Sequence, residues 1–141
     1  FDLNASNSFH DPDNSSRKNT YNGIFLDYPH RFVSRVSWEE TEVPFVVDDN
    51  DLWVEETASL TLAPNVIVKF MRDSEIIHYG NIHNHDAQGV YFTSYKDDLH
   101  GGDTNADGAL SAPADGDWTG MYNNVTSQYD SWPNILYDEL H

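Results

Sequence analysis

The chain has 141 residues, with 24 Asp and Glu against 7 Lys and Arg, a formal net charge of −17 and no cysteine. That length suits one domain with a real core. The acidity speaks against phosphate backbones and anionic lipid headgroups as partners, the lack of thiols excludes disulfides and cysteine chemistry, and no stretch holds the ~20 apolar residues of a membrane-spanning helix.

In chain order, residues 1–23 are turn formers with scattered apolar residues, which predicts a loosely ordered arm. The chain opens at Phe1 without a charged and apolar leader, as a processed or excised segment would. From about Ile24 to Phe92 short runs of β-branched and aromatic residues alternate with Asp, Asn, Gly and Pro: "RFVSRVSW", "VPFVV", "DLWVEE", "SLTL", "NVIVKFM", "EIIHYG" and "GVYFTS". Leu60 and Leu62, then Val66, Val68 and Phe70, then Val90 and Phe92 keep a period of two. No segment keeps helical spacing over three turns, and four Trp, eight Tyr and seven Phe set the chain apart from acidic disordered sequences. Residues 24–141 are therefore expected to form one all-β domain. The runs follow one another without two-residue Asn-Gly turns, and "TLAPNVIVKF" turns a Pro-Asn corner. That spacing suits a short solenoid in which each strand stacks on its equivalent roughly 20 residues later. An antiparallel β-sandwich is the alternative.

The stretch "SYKDDLHGGDTNADGALSAPADGDW", residues 94–118, carries six aspartates. Within it Asp103, Asn105, Asp107 and Gly108 form D-x-N-x-D-G, the first half of an EF-hand-type loop, in which alternate hard oxygens converge on one ion and the glycine permits the bend. Position 7 would offer the carbonyl of Ala109; position 12 is Ala114 instead of Glu and no amphipathic helix flanks the loop, so the EF-hand fold is rejected while its loop chemistry survives. Asp115 or Asp117 closing the loop, or Asp97 and Asp98 entering it, would complete the ligand set. Crowded carboxylates on a loop whose ends are held by strands call for a cation, and Ca²⁺ suits them better than Mg²⁺. The expected insertion covers about residues 95–117.

Three other constellations are weaker. "DDNDLWVEE" offers Asp48, Asp49 and Asp51 but reads better as a turn, and "HDPDNSS" has Asp11, Asp13 and Ser15 without the glycine. "HYGNIHNHD" brings His78, His83, His85 and Asp86 together without a third ligand at a diagnostic spacing. At the C-terminal end Trp118, Tyr122, Tyr129, Trp132 and Tyr137 mix with amides, which suits either sugar stacking or capping of an open end.

"ASLTLAPNVIVKF", "SEIIHYGNIHNHDAQGVYFTSYKDD", "GGDTNADG" and "PADGDWTGM" together resemble right-handed parallel β-helix segments of large secreted and surface proteins of bacteria, over about residues 43–122. Such segments carry a Pro-Gly corner, an "I-x-FTS" strand and an acidic "DD-x-x-GGDTN-x-DG" insertion closed by "GDW". Here Ala63-Pro64-Asn65 replaces the Pro-Gly corner and "NIHNHDAQG" is more polar than the usual rung. The resemblance implies a repetitive scaffold in adhesins or multidomain enzymes. It supports the expectation of a non-catalytic, extracellular or cell-surface, calcium-binding module with adjoining protein domains or a glycan as partner. The alternatives are a carbohydrate-binding module using Trp118, Tyr122, Tyr129 and Trp132, or a fragment of a polysaccharide-degrading enzyme with Lys96, Asp97 and Asp98 beside a sugar groove.

Overall fold

The computed structural model describes residues 22–26, 30–48 and 50–140. The expected N-terminal arm lies outside the described residues apart from Asn22 and Gly23. Twelve strands are found among the described residues: β1 (Ile24–Leu26), β2 (His30–Phe32), β3 (Arg35–Trp38), β4 (Phe45–Val47), β5 (Leu52–Val54), β6 (Ser59–Leu62), β7 (Ile67–Phe70), β8 (Glu75–His78), β9 (Asn81–His83), β10 (Tyr91–Ser94), β11 (Gly120–Asn123) and β12 (Gln128–Tyr129). There is no helix among them, as the period-two pattern predicts.

From β1 to β11 every third strand joins the same sheet, and β12 adds to the second beside β11. The first sheet runs β1-β4-β7-β10, the second β12-β11-β8-β5-β2 and the third β3-β6-β9. All pairings between these strands are parallel except β11 with β12, so an antiparallel sandwich is not what the chain forms. Short runs without hairpin turns cannot pair with their sequence neighbours, which leaves the parallel partner one repeat away. Partners lie 21 residues apart at Ile24↔Phe45 and 24 apart at Leu52↔Ile76, slightly longer than the sequence spacing predicts.

Like therefore stacks on like. Ile24, Phe45, Val68 and Phe92 fall in one inward column of the first sheet, and Leu52, Ile76 and Met121 in one of the second. These residues, with Leu60, Leu62 and Ile82 from the third sheet, share one core, where burial of apolar area is the main stabilising term. Trp38 stacks on Phe45 with centroids 4.3 Å apart, and Trp118 on Phe70 at 3.9 Å.

The corners between repeats need unusual backbone. Asn65 adopts φ +68°, the left-handed conformation that glycine usually supplies and that Asn tolerates best among the other residues, so the Ala63-Pro64-Asn65 corner needs no glycine. At the C-terminal end the Phe92 amide donates to the Asn134 carbonyl at 3.0 Å and the Leu136 amide to Phe92 O at 2.9 Å. The Asn134 side chain donates to His85 O at 2.6 Å and Val90 O at 2.9 Å. The last residues thus cover the outer edge of β10, which would otherwise present unpaired backbone.

Gly80 sits where a Cβ would lie 2.2 Å from the Ala58 carbonyl oxygen and 2.5 Å from that of Glu55. Gly80→Ala is expected to cost about 3 kcal/mol in urea unfolding, because backbone from the preceding repeat has to move.

Candidate metal centre

Connections from the first sheet to the second are short at residues 48–51 and 71–74, but the equivalent link after β10 runs through residues 95–119. This is the acidic stretch, close to the predicted 95–117. It folds back over the outer face of the first sheet, where Phe25, Val46, Lys69 and Thr93 stand in one outward column. Tyr95 packs edge-on against Phe25, with ring centroids 6.0 Å apart.

Lys69 is the residue that sequence reasoning missed. It is fully buried beneath the insertion. Its Nζ donates to Asp97 O at 2.8 Å, Gly102 O at 2.6 Å and Thr104 Oγ1 at 2.7 Å, so each ammonium proton has an acceptor. Burial pushes the amine down to about 8, against the pull of Asp97, Asp98 and Asp103 toward the charged form.

The aspartates divide into two groups. Asp97, fully buried, accepts from Thr93 Oγ1 at 2.6 Å and the Leu99 amide at 3.0 Å, and its Oδ2 lies 2.7 Å from His100 Nδ1. Burial alone would raise its carboxyl, but these hydrogen bonds and the nearby imidazole hold it below the usual carboxylate range. Asp117 accepts from Ser94 Oγ and from Lys96 Nζ, each at 2.6 Å, and from the Ala114 amide at 3.0 Å. Burial is again outweighed, by Lys96 first, and the carboxyl is lowered. Both were expected as possible metal ligands; both are instead turned inward to fasten the two ends of the insertion.

Asp98, Asp103 and Asp107 form the second group, each offering an oxygen within 4.8 Å of the others. Asp103 Oδ1 and Oδ2 accept from the amides of Asp107 at 3.1 Å and Gly108 at 2.9 Å. Asp107 accepts from the amides of Leu110 and Ser111, both at 3.1 Å, and from the Ser111 hydroxyl. These bonds bend the loop around the carboxylates while leaving lone pairs on each. Asp98 differs: its Oδ1 is buried and accepts no hydrogen bond. Desolvation, followed by the charge of Asp103, raises its carboxyl; Lys69 opposes this, and Asp107 and Asp97 add to it. A second cation facing Asp98 would relieve both the repulsion and the orphaned oxygen, so the residues present fit a divalent metal.

The remaining predicted ligands take other places. Asn105 donates from Nδ2 to Asp107 Oδ2 at 2.9 Å and to Ser111 Oγ at 2.8 Å, so it braces the loop. Ala109 is exposed, with its amide bonded to Asp107 O at 3.1 Å, and Asp115 stays exposed at the rim. In the second acidic stretch Asp49 lies outside the described residues, as do Asp11, Asp13 and Ser15.

The histidines do not converge. His78 is buried, with Nε2 2.8 Å from Asp130 Oδ2 and Nδ1 3.0 Å from Gly80 O; His83 is exposed; His85 stacks on Trp132 at 3.7 Å. Of the aromatics proposed for sugar, Trp118 must be withdrawn: it is 1% exposed, stacked on Phe70, and its Nε1 donates to Leu136 O at 2.9 Å. Trp132 is half-buried between His85 and Phe92, and only Tyr122 and Tyr129 reach an outer face.

No known protein family, curated protein or solved structure matches the chain.

The inward aspartates and Lys69 each make stability rise with pH, in two separate windows. Asp97 and Asp117 are lowered in the fold, so the stability they contribute is present above pH 4 and is lost as pH falls through their folded values. Lys69 is lowered to about 8 against about 10.4 in an unfolded chain, so the unfolded form binds more protons in between and its contribution to stability rises from about pH 8 toward pH 10. Denaturant midpoints across pH 3–10 are expected to trace both limbs, with Lys69→Met abolishing the alkaline rise and Asp117→Asn weakening the acid limb.

Proposed function

We propose that the chain is a right-handed parallel β-helix module whose acidic insertion binds one divalent cation, Ca²⁺, at Asp98, Asp103 and Asp107. It serves as a structural or adhesive part of a secreted or surface protein. The β-helix reading is supported by three sheets that take every third strand in parallel, β12 alone adding antiparallel to the second, and the hand follows from the strong preference of parallel crossovers. The cation reading is carried by one observation: three carboxylates converge on a point where the buried Asp98 Oδ1 has no hydrogen-bond partner.

Calcium is favoured over magnesium because the candidate ligands are carboxylates on a turn held by several backbone amides. Magnesium retains most of its waters and takes fewer protein oxygens. The ion's role is to order the second half of the insertion. A non-catalytic role is supported by the fate of the residues that an enzyme would need: Lys96 is paired to Asp117 at 2.6 Å, and Asp97 is sealed beneath the loop. An extracellular setting, where free calcium is millimolar, suits a site with three carboxylates and modest preorganisation.

Thermal unfolding after chelation, with calcium and then magnesium restored, tests this. Calcium is expected to raise the Tm by about 5 °C. The Asp103→Ala, Asp107→Ala double variant is expected to fold and to lose that rise. An unchanged Tm at millimolar calcium would refute the proposal.

A further inference from the structure

Beyond the metal site, the second sheet carries an outward row that the linear sequence scatters. Register aligns Arg31, Trp53, Ile77, Tyr122 and Tyr129 across β2, β5, β8, β11 and β12. Their strand neighbours Leu52, Val54, Ile76 and Met121 belong to the core, so alternation turns this row to the outside. Ile77 is buried yet stands apart from the core. Tyr122 and Tyr129 meet edge to face at 5.1 Å, and Tyr79 stacks on Trp53 at 6.4 Å. At the usual strand spacing the row is about 19 Å long.

Carboxylates flank it. Glu75 lies two residues before Ile77 on β8, and Asp51 two before Trp53, which places both on the same side of the row. Tyr129 donates its hydroxyl to Glu75 Oε2 at 3.2 Å. Burial, then the charges of Asp51 and Glu139, push the Glu75 carboxyl up against the Tyr129 hydrogen bond, and among the described residues no cation is ion-paired with these acids. The chain itself displays how such a surface takes a cation. The Arg31 guanidinium lies 4.8 Å from the Trp53 ring centroid and is ion-paired with Glu55.

We propose that this face is a docking surface for an extended, arginine-bearing segment of a partner protein. Guanidinium groups lie over the Trp53–Tyr122–Tyr129 row and pair with Asp51, Glu75 and Glu139, repeating what Arg31 does at one end. Charge complementarity selects this occupant: a net charge of −17 draws cations to the whole molecule, and aromatic faces beside carboxylates hold guanidinium groups in particular. A neutral glycan could stack on the rings but would leave the crowded carboxylates unrelieved.

Calorimetric titration of the whole chain with an Arg-Ser-Arg-Ser-Arg peptide and with a neutral maltohexaose, at physiological salt, tests the assignment. The peptide is expected to bind and the saccharide not. Trp53→Ala and Glu75→Gln are each expected to weaken peptide binding about tenfold, while Asp115→Asn, which removes one charge from the insertion, leaves it unchanged. Equal loss in Glu75→Gln and Asp115→Asn with none in Trp53→Ala would reduce the effect to bulk charge and overturn the proposal. Binding of the saccharide in place of the peptide would overturn it in favour of a glycan.

Discussion

One buried ammonium decides where the acidic insertion goes. Lys69 stands on the outer face of β7, a position that alternation would give to solvent. An uncovered lysine there would be unremarkable. Covered, it requires three acceptors, and the insertion supplies them from Asp97, Gly102 and Thr104. The first half of the loop is thereby wrapped around a fixed positive charge, and Val46 and Thr93 on the same column are buried with it.

That single charge faces three carboxylates, those of Asp97, Asp98 and Asp103. Asp97 is satisfied by its hydrogen bonds to Thr93, Leu99 and His100. Asp98 and Asp103 are left with Asp107 as a third like charge, and the Asp98 carboxyl is raised first by burial and then by the charge of Asp103. Lys69 closes the first half of the loop, and Asp98, Asp103 and Asp107 stand together in the second, where a metal ion could be held. The rest of the molecule serves this arrangement, since parallel pairing one repeat apart puts Lys69 beside Thr93 and directs the chain after Ser94 back across the same face.

The strands were legible because their apolar residues alternate and their runs are too short for anything else. The missing hairpin turns and the Pro-Asn corner suited parallel stacking but left an antiparallel sandwich open, which only the observed pairing excludes. The D-x-N-x-D-G loop gave Asp103 and Asp107 directly. Which of the adjacent Asp97 and Asp98 enters the site was hidden, because neighbouring residues face opposite ways and only the folded turn after β10 decides the direction. Lys69 left a signal that went unused: Val66, Val68 and Phe70 point inward, so the lysine between them points out, one repeat before the insertion. For Trp118 sequence left both sugar stacking and end capping open, because its partner Phe70 is distant in sequence, as is Asp130 from His78. The outward row on the second sheet draws one residue from each of five strands, and no local window contains it.

Amide hydrogen exchange across residues 97–111, with and without calcium, addresses the division of labour most directly. The Leu99 amide, bonded to Asp97 in the Lys69-anchored half, is predicted to exchange slowly in both conditions. The amides of Asp107, Gly108, Leu110 and Ser111 are predicted to become slow only when calcium is present. Fast exchange throughout the segment in both conditions would contradict the account, leaving the insertion a solvated loop that neither Lys69 nor a metal orders.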